Sequence, residues 1–137
     1  NIRMLKQLSI YAENKKGALQ AMTNALYEAG INIWGSVTND GAEYGINRMV
    51  VSDPDKAKEV LTEKGYLCRF VDVLAVEIED KPGALNTLLT ALLDSNVNVD
   101  YTYLSFNRDS STPVMILHTA DPEEVEICLR AKGFKMV

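Results

Sequence analysis

Glu79-Asp80-Lys81-Pro82-Gly83-Ala84-Leu85 is the stretch whose reading decides the fold. It carries an apolar, strand-like run over 74–79 through a glycine into a segment with helical spacing. An earlier copy stands at Glu13-Asn14-Lys15-Lys16-Gly17-Ala18-Leu19, with Gly17 and Gly83 66 residues apart in a chain of 137. A motif that recurs at about half the chain length marks a duplicated module. In each copy the glycine opens a helix whose first N–H groups lack an intrahelical acceptor, a place where an anion can sit.

Ahead of the first copy, Leu8, Ile10 and Ala12 alternate with Gln7, Ser9 and Tyr11, the period-2 pattern of a half-buried strand over 5–12. After Gly17, Ala18, Leu19, Met22, Ala25, Leu26 and Ala29 keep i, i+3/i+4 spacing, and Gly30 stops the helix. Ile31, Ile33 and Val37 restore period 2 for a second strand. Asn39-Asp40-Gly41 supplies turn chemistry before a third strand over 44–51. Asp53-Pro54 reads as N-cap and first helical residue, and Lys64-Gly65 closes that helix before a fourth strand near Tyr66.

The second copy predicts the same order: a helix over 83–94, a strand over 97–106, a turn at 107–111, a strand over 113–119, a cap at Asp121-Pro122, a helix over 123–132 and a strand over 134–137. Asp53 and Asp121 are 68 residues apart, so the second hairpin loop is longer by two residues, and loop tips accept length changes cheaply. Strand, helix, strand, strand, helix, strand gives a four-stranded antiparallel sheet with two helices on one face, the ferredoxin-like arrangement.

The expected domains are 1–71 and 72–137, with no flexible linker, since 67–73 runs almost directly into the next strand. The predicted class is α+β: two βαββαβ repeats paired side by side into an eight-stranded antiparallel sheet with four helices on one face. Pairing edges would relieve the exposed sheet edges of two small units. A face-to-face stack of sheets would need more apolar open faces than Gln7, Ser9, Tyr11, Asn32 and Ser36 offer.

Composition narrows the function classes. With 14 Lys+Arg against 19 Asp+Glu, the net charge is −5, and the longest basic run is Lys15-Lys16. Nucleic acid and anionic membranes, which need a positive field, are poor partners. No apolar run approaches the roughly 20 residues of a membrane span, and no charged-then-apolar leader opens the chain, so a soluble, cytoplasmic protein is expected. Cys68 and Cys128 lack CxxC spacing and read as reduced packing residues. His118, the single histidine, falls at the end of the apolar run from Val114 and reads as a strand-end side chain. Neither a catalytic set nor a metal or cofactor site is expected.

What remains is the repeated loop. Its glycine allows close backbone approach, and the helix dipole behind it favours a carboxylate. Asn14 or Asp80 could accept a hydrogen bond from an ammonium group, or could simply cap the helix.

The two loops, the segment Gly30-Ile31-Asn32-Ile33 and the element order together resemble the ACT domain, a small regulatory module of amino-acid metabolism. The whole chain is similar to bacterial proteins built of two such domains. The resemblance implies a non-catalytic, amino-acid-binding regulatory or sensor protein, a dimer or other homo-oligomer, acting on an enzyme or regulator of amino-acid metabolism. It implies that sheets join along their second strands and that a free amino acid lies between modules.

Carried over by residue, one site combines Asn14, Lys15, Lys16, Gly17, Ala18 and Leu19 with Asn98, Val99, Asp100 and Tyr101. Its mate combines Asp80, Lys81, Pro82, Gly83, Ala84 and Leu85 with Asn32, Ile33, Trp34 and Gly35. Lys16 stands where proline precedes the glycine in the second copy, which predicts a less preorganised first loop. Asp100 would offer an acidic wall, and Trp34 an aromatic one unless it packs at the module interface. The alternative is a structural dimerisation or protein-interaction module with no small-molecule ligand.

Overall fold

The computed structural model describes residues 4–13, 15–39 and 44–137. Asn14 and the turn residues Asp40 and Gly41 lie outside the described residues. The chain divides into two compact units, Lys6–Val71 and the stretch Asp72–Val137 with Met4 and Leu5.

In the first unit, β1 (Leu5–Glu13) leads to α1 (Ala18–Glu28), β2 (Ile33–Asn39), β3 (Tyr44–Val51), α2 (Pro54–Glu63) and the start of β4 (Leu67–Glu77). The strand order is β2-β3-β1-β4, with β1 antiparallel to β3 in the register Leu8 to Met49 and Ile10 to Asn47. Leu8, Ile10, Met49 and Val51 from the sheet meet Met22, Ala25 and Leu26 of α1 and Ala57 and Leu61 of α2, so the helical stripes and one sheet face close a single core. A fully buried leucine such as Leu61 contributes about 1.5–3 kcal/mol.

The other face of β1 is buried as well. Gln7 and Ser9, expected on an open face, are almost inaccessible, and Gln7 Nε2 donates to Ser9 Oγ at 3.2 Å. Period 2 correctly separates the faces of a strand, but it does not say whether the polar face meets water.

The second unit takes the rest of β4, α3 (Ala84–Asp94), β5 (Tyr101–Phe106), β6 (Pro113–His118), α4 (Pro122–Ala131) and β7 (Lys135–Met136). Here β4 lies between β6 and β7, and β5 is on the outer side of β6. Leu74, Val76, Met115 and Leu117 pack with Leu88 and Leu92 of α3 and Val125 and Leu129 of α4.

The described residues contain seven strands rather than the eight expected. Leu67–Glu77 has no Gly, Pro or Asn to break it, so the last strand of one repeat and the first of the next are one continuous strand of 11 residues. The four helices and the antiparallel ferredoxin-like order agree with expectation.

Candidate functional site

Both glycine loops adopt one conformation. Gly17 is the N-cap of α1 with φ 83 and ψ −7, and Gly83 is the N-cap of α3 with φ 88 and ψ −6. This left-handed geometry suits glycine, and neither cap uses a side chain. The capping reading of Asp80 therefore fails. Lys16 in place of Pro82 does not change the turn, because the glycine sets it.

The loops close in the same way. Ala18 N donates to Lys15 O at 3.1 Å, and Ala84 N to Lys81 O at 3.2 Å, so the first helical N–H is already used in each. The next two, on Leu19 and Gln20 and on Leu85 and Asn86, are left by helix geometry without an intrahelical acceptor. A glutamate two residues earlier holds each loop lysine: Lys15 to Glu13 at 3.1 Å, Lys81 to Glu79 at 2.9 Å.

Each loop borders a cleft within its own unit. In the first unit, Tyr11, Glu13, Lys15, Lys16, Gly17 and Ala18 face the turn Lys64-Gly65-Tyr66-Leu67 across a volume of about 840 Å³. In the second, Glu79, Lys81 and Ala84 face Gly133-Phe134-Lys135 across about 380 Å³. Both volumes fall within the range of small-ligand pockets.

The facing turns were not among the sequence candidates. The signal was available, since Lys64-Gly65-Tyr66 and Lys132-Gly133-Phe134 match between repeats, and both glycines are left-handed, at φ 93 and 92. The clefts differ in charge. Lys16 and Lys64 have no carboxylate within 4 Å among the described residues, whereas Lys135 reaches Glu77 at 3.4 Å and Lys81 is paired. The first cleft is the more positive.

The second-strand starts are shaped differently in the two repeats. The β2–β3 register shifts between Ile33 and Gly35, which makes Trp34 the extra residue of a bulge, a device that re-aims a side chain. Ile33 packs against the first core, and Asn32 N donates to Ser52 Oγ at 2.9 Å. In the second repeat, Asp100 is already engaged rather than an open acidic wall. Its Oδ2 lies 2.8 Å from His118 Nδ1, and Asn98 Nδ2 donates to Oδ1 at 3.2 Å. Tyr101 stacks on the His118 ring at 4.9 Å with planes 1° apart, and Val99 packs against the second core. His118 ends β6, as expected.

Cys68 is buried in the first core, where burial pushes its thiol up from the ordinary value against a smaller lowering effect of Lys58. Cys128 is half-buried, and its Sγ lies 3.1 Å from Ser95 Oγ. Among the described residues no helix is long and apolar enough to cross a membrane.

The chain is similar to the solved structure of protein BT0572 from Bacteroides thetaiotaomicron, with 30% identity and a TM-score of 0.89 over 98% of this chain and 92% of that one. It is also similar to the regulatory subunit of aspartate kinase from Thermus thermophilus in its ligand-free form, with 18% identity and a TM-score of 0.64 over 92% and 88%. The corresponding subunit from Thermus flavus gives 19% identity and a TM-score of 0.64 over 94% and 91%. At that identity the likeness speaks for the fold. No curated protein matches the chain. A family model described as an ACT domain pair matches residues 3–136, a span that takes in both glycine loops and both sets of six elements, and the chain therefore belongs to that family.

Proposed function

We infer that this protein is an amino-acid-binding regulatory module. An ACT domain pair is a regulatory rather than a catalytic domain type, and similar folds serve as regulatory subunits of aspartate kinase in two Thermus species. The observation that carries the reading is the equality of the two loops. Different sequences, Lys-Lys-Gly and Lys-Pro-Gly, reach the same left-handed cap at the start of a helix, and each loop borders a lysine-bearing cleft. A carboxylate suits those donors and the helix dipole.

In this reading Lys15, Lys16, Gly17, Ala18 and Leu19 form the carboxylate-holding side of one site, and Asp80, Lys81, Pro82, Gly83, Ala84 and Leu85 that of the other. The bound amino acid shifts the protein between two arrangements and so reports its level to an enzyme or regulator of amino-acid metabolism, with the chain acting as a homodimer in the cytoplasm.

A thermal-shift panel of the free amino acids tests it, since a ligand at 100 times its Kd stabilises by about 2.7 kcal/mol. Gly83→Asp and Gly83→Asn form a matched pair. Both residues tolerate positive φ, and a Cβ at Gly83 meets nothing within 4 Å. The aspartate is expected to abolish the shift at its loop and the asparagine to retain part of it. No shift with any amino acid at millimolar concentration refutes the reading.

One observation favours a second reading, an interaction module with no small ligand. Leu104 and Phe106 stand about half-exposed on β5, whose only described sheet neighbour is β6. Self-association indifferent to every amino acid would support it.

A further inference from the structure

Repeat 2 contains a cavity that neither glycine loop borders. It occupies about 330 Å³ where the end of α3, the approach to β5, the end of β6 and the start of α4 converge. Thr119 lines it and is 3% exposed, yet its buried Oγ1 has no hydrogen-bond partner. A buried hydroxyl without a partner carries an uncompensated desolvation cost, which a turn of the side chain toward a ligand atom in the cavity would remove.

The first repeat shows what this place becomes when it is only packing. By repeat register, Thr119, Cys128, Ser95 and Glu124 correspond to Val51, Val60, Ala29 and Lys56. Val51 and Ala57 there are core, and Asp53 caps its helix by accepting from Lys56 N at 3.1 Å. In the second repeat four apolar or basic positions have become polar or acidic around one space, and Asp121 gives no side-chain cap to α4. Asp121 acts on Glu124 instead, raising the Glu124 pKa through side-chain hydrogen bonding and through its charge.

We propose that this cavity is a second binding site, for a small organic ammonium compound that carries no carboxylate. Of the described residues lining it, the charged ones are both acidic, Asp121 and Glu124, so a cation is attracted and the carboxylate of an amino acid is repelled. The Thr119 hydroxyl suits a ligand hydroxyl or a second N–H, and Val97 and Val125 suit a short alkyl chain. A chelated metal ion fits poorly, because no group of three or more His, Cys, Asp or Glu converges among the described residues.

Calorimetric titration of the full chain with ethanolamine and 1,4-diaminobutane tests the site, with glycine as the carboxylate-bearing comparison. Saturable binding of at least one amine is expected. Thr119→Val, the residue of the first repeat, should weaken it about tenfold while raising the melting temperature of the free protein, because it deletes an unpartnered buried hydroxyl. Glu124→Lys, on an exposed residue, should weaken it at least as much. In Gly17→Asp and in Gly83→Asp the amine affinity should be unchanged, which separates this site from both glycine clefts. Absence of saturable amine binding, an affinity unchanged in either cavity variant, loss of binding in Gly17→Asp or Gly83→Asp, or glycine displacing the amine overturns the proposal.

Discussion

Asp100 and His118 hold each other twice, through the backbone, where Asp100 N donates to His118 O at 2.9 Å, and through the side chains, where Oδ2 and Nδ1 are 2.8 Å apart. The pair ties the approach of β5 to the end of β6, and Tyr101 covers it from one side. With Asn98 on its other oxygen, Asp100 is fixed in direction, so whatever meets this wall meets an oriented carboxylate and imidazole together.

His118→Ala removes a stacked ring and a partly exposed side-chain hydrogen bond to Asp100, each modest in water. Urea unfolding should show a loss of about 1 kcal/mol with an unchanged m-value. An unmoved midpoint would mean the pair is ornamental to stability.

Lys16→Pro is expected to stabilise the first unit. Gly17 and Gly83 share their dihedrals although Pro82 precedes only the second, and among the described residues Lys16 N makes no backbone hydrogen bond in the loop. A proline that fits the native turn restricts the unfolded chain and is worth about 0.4–1 kcal/mol. A lower melting temperature would show that the two loops differ at the residue before the glycine.

Cys68 should make stability fall in alkaline solution. Burial raises its folded pKa above the ordinary value of 9.0, so the unfolded state loses its proton first. The thiol's contribution is complete below the ordinary value and is lost as pH rises toward the folded pKa, with a slope of at most about 1.4 kcal/mol per pH unit. Unfolding free energies at neutral and alkaline pH should diverge in the natural protein and converge in Cys68→Val.

Leu61→Ala and Leu93→Ala test the division between core and surface. Leu61 is fully buried and Leu93 is 75% exposed. The first should cost about 2–5 kcal/mol and the second less than about 0.5 kcal/mol. A comparable loss at Leu93 would reveal a partner covering that face of α3.

The helices and hairpin strands were legible because their signals are local. Met22, Leu26 and Leu61 keep helical spacing, Asp53-Pro54 starts α2, and the strand Tyr44–Val51 falls where periodicity put it. The merging of Leu67–Glu77 was missed because repeat symmetry asks for two strands where local chemistry supplies no break. Burial of Gln7 and Ser9 depends on what covers the far side of β1, which period 2 cannot express. At the candidate site the glycine loops could be read directly, since a glycine before a helical stripe has few other meanings. Their facing walls, Tyr66 and Phe134, arrive from about 50 residues later in the chain, and only the assembled sheet brings them near. Thr119 looks like any strand-end residue until it is set against Val51.

The two thiols also make the protein its own reporter. Cys68 is sealed in a core and held protonated, whereas Cys128 is half-buried at the edge of the Thr119 cavity. A thiol-directed dye or isotope label should therefore attach at Cys128 without engineering, and occupancy of that cavity should become readable as a change in labelling rate or in the signal of the attached probe.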